Sequence, residues 1–192
     1  MKQRIKHLIL FLLLVGIDQA SKLWVKSRLM NKDPIVILKD VLNLQYHENN
    51  GAVWGILSGK VVYLTIFTFI IMFFILYLYF KIPKNKKFNA LKIITVFILA
   101  GALGNLIDRI YLGYVVDFIY FKIIDFPLFN LADSYLTVSS ILLMILALFY
   151  YKDEDFAFLD RIFRKSKNKR VVSEENALDD ENDEEESEGT EE

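Results

Sequence analysis

The chain has no cysteine, only two histidines and only three prolines among 192 residues. Without cysteine there is no thiol nucleophile, no disulfide framework, no thiolate metal site and no lipid anchor on a cysteine of its own. His7 and His47 are the only imidazoles, and no His-Glu-x-x-His pattern exists, so a zinc-peptidase helix is excluded. Negative charge is also scarce where it would cost most. Residues 1–150 hold eight Asp or Glu against 16 Lys or Arg, whereas residues 151–192 hold 16 acidic against seven basic side chains. The overall charge of −1 therefore conceals a +8 region followed by a −9 region. No internal repeat is visible. What the chain has in abundance is apolar surface: 54% of residues are hydrophobic and runs such as Val61–Phe80 are unbroken. That pattern belongs to an integral membrane protein rather than to a soluble domain.

About 20 apolar residues cross a bilayer. Four segments qualify: 7 to about 25, 61–80, 88 to about 106, and 134–151. The apolar centre of the first, Leu8–Ile17, is short enough for the h-region of a cleaved signal peptide and follows Lys2, Arg4 and Lys6. No small-x-small cleavage site comes after it, and Leu23-Trp24-Val25 extends the apolar pattern, which favours a retained helix. Basic short loops mark the cytoplasmic side of a membrane protein. The N-terminus, the 81–87 loop (Lys81, Lys84, Lys86, Lys87) and the 161–170 segment are strongly basic, while the 107–133 loop holds only Arg109 and Lys122. Four spans with both termini inside and loops 27–60 and 107–133 outside meet this condition. The expected organisation is a membrane domain over 1–152, a basic juxtamembrane segment over 153–172 and a disordered acidic cytoplasmic tail over 173–192. The basic segment is suited to lie on anionic lipid. Residues 34–48 are rich in β-formers, broken at Lys39-Asp40, and predict two short strands.

In this topology the polar residues at membrane level converge on the outer boundary. Asp18 and Lys22 lie four apart in the outer half of the first span, and Asn49 precedes the second span. Asn105, Asp108 and Arg109 share a face at the outer end of the third, and Asp133 opens the fourth. Four of the eight acidic residues of 1–150 fall between Asp108 and Asp133. Ionisable groups near hydrocarbon are costly and point to function. Asp117 and Asp133 are separated by 16 residues and Pro127, so they meet only if the loop folds back. If they meet in a low-dielectric recess they share one proton, which suits aspartic-protease chemistry. The Asp-Thr/Ser-Gly and Gly-x-Gly-Asp signatures of other aspartic proteases are absent. Structural alternatives stand beside this reading. Asp108-Arg109 suits an ion pair or network, Asp18/Lys22 an intrahelical pair, and Asp133-Ser134 an N-terminal cap of the last helix. Trp54 and the aromatic residues of 111–129 suit interfacial anchoring. A Ser-Lys peptidase built on Ser21/Lys22 is disfavoured, because adjacent helical residues diverge by about 100°. A proton-coupled transporter and a helix-glued scaffold are the rivals from other classes.

Five motifs occur in order. They are Gly16-Ile-Asp18-Gln19-Ala20-Ser21-Lys22, Asn49-Asn50-Gly51-Ala52, Gly101-Ala-Leu-Gly104-Asn105-Leu-Ile-Asp108-Arg109, Val115-Val116-Asp117-Phe118 and Phe129-Asn130-Leu131-Ala132-Asp133-Ser134. Together they resemble the bacterial lipoprotein signal peptidase family, signal peptidase II, over about residues 5–150. The resemblance implies an α-helical polytopic membrane protein with four transmembrane helices and a small extracytoplasmic β-cradle over 34–48. It implies an aspartic endopeptidase of the inner membrane that removes signal peptides from prolipoproteins, cutting N-terminal to the diacylglyceryl-modified cysteine. Asp117 and Asp133 would be the catalytic dyad. Asn105, Asp108, Arg109 and Asn130 would support it, Asn49 and Asp18 would line the substrate site, Lys22 would neighbour Asp18, and the 111–129 loop would close over the site. Val53-Trp54 stands where many members have Ala-Phe. Expected partners are diacylglyceryl-cysteine prolipoproteins and membrane lipid, with no nucleic acid, metal or cofactor, and the expected state is a monomer.

Overall fold

The computed structural model describes residues 2–51 and 57–159. The acidic tail at 173–192, the basic cluster at 161–170 and Trp54 lie outside the described residues. The chain divides into two compact units, Met1–Leu148 and Phe149–Glu192. In the second, the described residues include a short 3-10 turn at Asp153–Phe156.

Four long helices, α1 (Lys2–Leu29), α2 (Val61–Lys81), α3 (Asn89–Tyr111) and α4 (Leu131–Phe149), are each apolar and long enough to cross a membrane. A three-stranded antiparallel sheet, β1 (Ile35–Leu38), β2 (Leu42–Asn49) and β3 (Val115–Phe121), joins them. α1 runs 28 residues, about 42 Å at 1.5 Å per residue, so it exceeds a roughly 30 Å hydrocarbon core. Its last turns pack on the sheet through Val25 and Leu29.

α3 is the central helix. Eleven of its 23 residues are buried, whereas α2 buries none of its 21. An all-round apolar helix with no buried face has lipid as its solvent, which explains the unbroken run at 61–80. Leu14 of α1 packs with Val96 and Ala100 of α3, and Tyr135 of α4 joins that cluster. Glycine sets the α3–α4 separation at one point. A Cβ at Gly101 would sit 2.5 Å from the Ala132 carbonyl oxygen and 2.8 Å from Leu136. Gly101→Ala is therefore expected to lower stability by about 1–3 kcal/mol, as overpacking against backbone does, read as a drop in melting temperature in detergent. An unchanged melting temperature would mean that α4 gives way without cost.

The hairpin at 34–48 forms as the β-former pattern requires. Asp40 takes the turn with a φ of 58°, and Val41 N–H donates to the Leu38 carbonyl at 3.0 Å. The 107–133 loop corrects the expectation. It is not only a covering loop, since Val115–Phe121 forms β3 and pairs with β2 through Asn49↔Val115, His47↔Asp117 and Leu42↔Phe121. Val116 and Phe118 then pack on Val25 and Leu29 of α1, which fixes the sheet at one end of the bundle.

Candidate active site

The site forms where the 107–133 segment folds back on itself. Phe118 and Ile119 donate their N–H groups to the Phe129 carbonyl at 3.0 and 2.8 Å, and Phe129 N–H returns to Ile119 at 3.1 Å. Those three bonds carry Asp117 on β3 to the start of α4. There Asn130 bridges the two aspartates. Its side-chain amide donates to Asp117 Oδ1 at 2.7 Å, and its backbone N–H donates to Asp133 Oδ2 at 3.1 Å. Asp133 N–H returns to Asn130 Oδ1 at 2.9 Å. Asn130 and Asp133 thus form a reciprocal box at the helix start, with Asn130 as the cap and Asp133 three residues inside. The cap expected of Asp133-Ser134 is supplied by Asn130, so Asp133 keeps an oxygen for other partners. That oxygen, Oδ1, accepts from Asn105 Nδ2 at 2.7 Å. Asn49, at the end of β2, donates to Asp117 Oδ2 at 2.8 Å.

Asp117 is 1% exposed. Burial, and then the negative charge of Asp133, push its carboxyl up to about 7, against the hydrogen bonds from Asn49 and Asn130 and the attraction of Lys22. At neutral pH the pair can therefore offer one carboxylate and one carboxylic acid. Arg109 reaches toward the Gly51 carbonyl at 3.4 Å, and the charges of Asp133, Asp117 and Asp108 all act on its guanidinium.

Behind the dyad lies a second polar layer. Lys22 is 3% exposed and uses its ammonium on three acceptors, Asp18 Oδ2, Asp108 Oδ2 and Asn105 Oδ1, each at 3.0 Å. Asp18, with no exposed surface, also accepts the backbone N–H of Ala132 at 2.9 Å and so anchors the first turn of α4. Asp108 accepts the Val116 N–H at 3.1 Å and so anchors β3. The ion-pair partner of Asp108 is Lys22 on the packed neighbour α1, and not its sequence neighbour Arg109. Asn105 accepts from Asn130 Nδ2 at 3.1 Å, which connects the two layers. Asp18 and Lys22 are thus enclosed by protein and hold the scaffold from behind.

Gln19 was not singled out by charge, yet its amide donates to Asp18 Oδ2, the Gly104 carbonyl and Asp108 Oδ1 at 3.0–3.2 Å. The available signal was an amide in the outer half of an apolar helix, beside a carboxylate. Gly104 supplies the room, since a Cβ there would stand 2.5 Å from Asp18 Oδ2. On the sheet side, Lys26 donates to the Tyr114 hydroxyl at 3.0 Å, and Tyr114 meets Tyr46 at 3.1 Å. The described residues contain no group of three or more His, Cys, Asp or Glu arranged to hold a metal ion.

Residues 10–149 match the family described as signal peptidase (SPase) II, peptidase A8. The chain is 44% identical over 130 residues to the lipoprotein signal peptidases of Staphylococcus aureus strains JH9 and Newman, covering 67% of this chain and 78% of theirs. Among solved structures, a bacterial membrane enzyme determined by the in meso method at 2.3 Å resolution superimposes with a TM-score of 0.67. It is 39% identical and covers 74% of this chain and 87% of that one. A second, at 1.9 Å resolution, gives a TM-score of 0.66 at 38% identity, covering 76% and 94%. Fold and relatives define the class, a polytopic membrane aspartic endopeptidase. Within that class the chain belongs to the signal peptidase II family, whose members cleave the signal peptides of lipoproteins.

Proposed function

We propose that Asp117 and Asp133 act as one catalytic dyad, cutting prolipoproteins on the N-terminal side of the diacylglyceryl-modified cysteine. The observation that carries this reading is Asn130, which hydrogen-bonds both carboxyl groups and so places them around a common space. The ionised member takes a proton from water while the protonated member donates to the scissile carbonyl oxygen. The water oxygen bonds to the carbonyl carbon. The C–N bond then breaks as a proton passes to the leaving amine, and the dyad returns to its singly protonated state. Asn49, Asn105 and Asn130 orient the carboxyls, and the electrostatic field of Arg109 favours the ionised one. Asp18, Lys22 and Asp108 hold the elements that carry them. The proton belongs to the pair as a unit.

The basic loops support an orientation with both termini cytoplasmic and the dyad at the outer face of the inner membrane. A lipid-modified cysteine is held in that leaflet, so substrate and site meet at the same depth. The monomer suffices, because both aspartates and all their partners come from one chain. The acidic tail at 173–192 takes no part in the chemistry.

The test is product analysis. The full chain in detergent, given a diacylglyceryl-modified prolipoprotein, releases a mature product that begins with the modified cysteine. The unmodified precursor is cut at least about tenfold more slowly, since it lacks the shared membrane anchor that raises effective concentration. Mass spectrometry of both products decides. A product that begins elsewhere, or equal cutting of both precursors, removes the assignment of the cleavage position.

A further inference from the structure

At the end of the bundle far from the dyad, α1 begins, α2 ends and α3 begins. Thirteen residues of α3 separate Lys92 from Asn105, about 20 Å along the helix axis. A cavity of about 470 Å³ opens here, and among the described residues its lining includes Arg4, His7, Tyr79, Lys84 and Lys92 but no carboxylate.

Lys92 is the informative residue. Only 7% of it is exposed, and among the described residues its ammonium has no carboxylate or hydrogen-bond acceptor. Its electrostatic neighbours are the cations Arg4 and Lys84. Lys22, buried to the same degree, has three acceptors. The stem of Lys92 is covered while its ammonium faces a cavity whose charged lining among the described residues is cationic, so a site of this kind suits an anion. Among the described residues none lies in the lining. Arg4 stacks over Phe80 at 5.2 Å, and His7 Nδ1 is hydrogen-bonded to the Tyr79 hydroxyl at 2.8 Å, so two walls are held in place. On one side the lining is apolar: Ile5 and Leu8 are half exposed on the outer surface of α1, where acyl chains run.

We propose that this cavity binds the phosphate of an anionic phospholipid headgroup, with Lys92, Arg4 and Lys84 as its ligands and Ile5 and Leu8 against the acyl chains. A phosphate matches clustered Lys and Arg donors through charge-assisted hydrogen bonds. The apolar flank selects a lipid over a soluble phosphate. The site is separate from the peptidase dyad, so its occupancy bears on stability in the membrane and not on the cleavage step.

The full chain in nanodiscs of phosphatidylcholine, with and without phosphatidylglycerol, provides the test. Phosphatidylglycerol raises the melting temperature of the wild type, and native mass spectrometry shows the lipid retained. Lys92→Met abolishes the rise and weakens retention at least about tenfold, the loss of one charge-assisted contact. Lys86→Gln, on the same face but outside the cavity, keeps both. If Lys92→Met fails to fold, the Arg4→Gln/Lys84→Gln double variant carries the same readouts. Full retention and an unchanged shift in the cavity variants overturn the proposal. So does an equal shift from inorganic phosphate, which makes the ligand a soluble anion. A lipid shift that appears only after removal of residues 173–192 assigns the cavity to the acidic tail and also overturns it.

Discussion

Asp117→Asn and Asp133→Asn each leave a folded chain that cleaves lipidated prolipoprotein about 10²–10⁴-fold more slowly than wild type, the range that proton transfer by a positioned side chain provides. The amide keeps the shape of the carboxyl and removes a buried charge, so folding survives. It can neither take a proton from water nor share one with its partner. Asp117→Asn also turns an NH2 group toward one of its two amide donors, Asn49 or Asn130, so one hydrogen bond is lost. The pH dependence follows from the same residue. With its carboxyl raised to about 7 by burial and by Asp133, the folded chain holds a proton between about pH 4 and 7 that the unfolded chain has released. By linkage, this contribution to stability is present at low pH and is lost as pH rises through 7. Asp117→Asn flattens that slope. Wild-type activity declines above about pH 7 as the dyad loses its shared proton. Cleavage rates and melting temperatures across pH 4–9, measured on wild type and both variants, check each statement. Near-normal activity in either variant makes that aspartate structural. Asp108 would be a poor replacement, because Lys22, Gln19 and the Val116 N–H already occupy its oxygens.

Lys22→Met is expected to cost about 3–5 kcal/mol or to prevent folding, the loss that follows when one partner of a buried ion group is removed. Asp18 has no exposed surface and Asp108 is 3% exposed, so both would be left as buried carboxylates without their shared cation. The effect spreads because Asp18 anchors the first turn of α4 and Asp108 anchors β3, the two elements that carry Asp133 and Asp117. Adding Asp18→Asn and Asp108→Asn to Lys22→Met restores much of the stability, since the amides still accept those backbone N–H groups. Denaturant unfolding in detergent compares the single and triple variants. A single variant within about 0.5 kcal/mol of wild type, the range of an ordinary surface change, would show that Lys22 adds little. The contrast with Lys92 is instructive. Lys22 has three acceptors, whereas the charged groups lining the cavity beside Lys92, among the described residues, are the cations Arg4 and Lys84.

The sequence read alone carried the membrane architecture a long way. An apolar run needs no partner to declare itself, since hydrocarbon selects each helix on its own composition. That is why α2 was legible almost to the residue, and why the grouping of polar residues at one end of the bundle could be read from counting. The ends of α1 and α3 were less legible. α1 continues to Leu29 because Val25 and Leu29 pack on the sheet, and α3 continues to Tyr111 with Asp108 buried against protein. The ordered motifs carry the family, which the match over residues 10–149 bears out.

Pairings between distant segments were decided only in the folded molecule. β3 takes its identity from β2, which ends 66 residues before Val115, and Val-Val-Asp-Phe-Ile-Tyr-Phe reads equally well as an apolar loop. Asp133 looked like either a cap or a catalyst. The structure gives the cap to Asn130, which hydrogen-bonds both aspartates. Asp108 seemed to belong to Arg109 by adjacency, yet it pairs with Lys22 on another helix. Lys92 reads in sequence as one more cation at the basic end of a span, and only packing shows that it faces a cavity with no carboxylate among the described residues. The physical reason is common to all four. Hydropathy and loop charge act residue by residue and survive in one dimension. A hydrogen bond or an ion pair needs two groups within about 3 Å, and where the chain brings such groups together is a property of the tertiary fold.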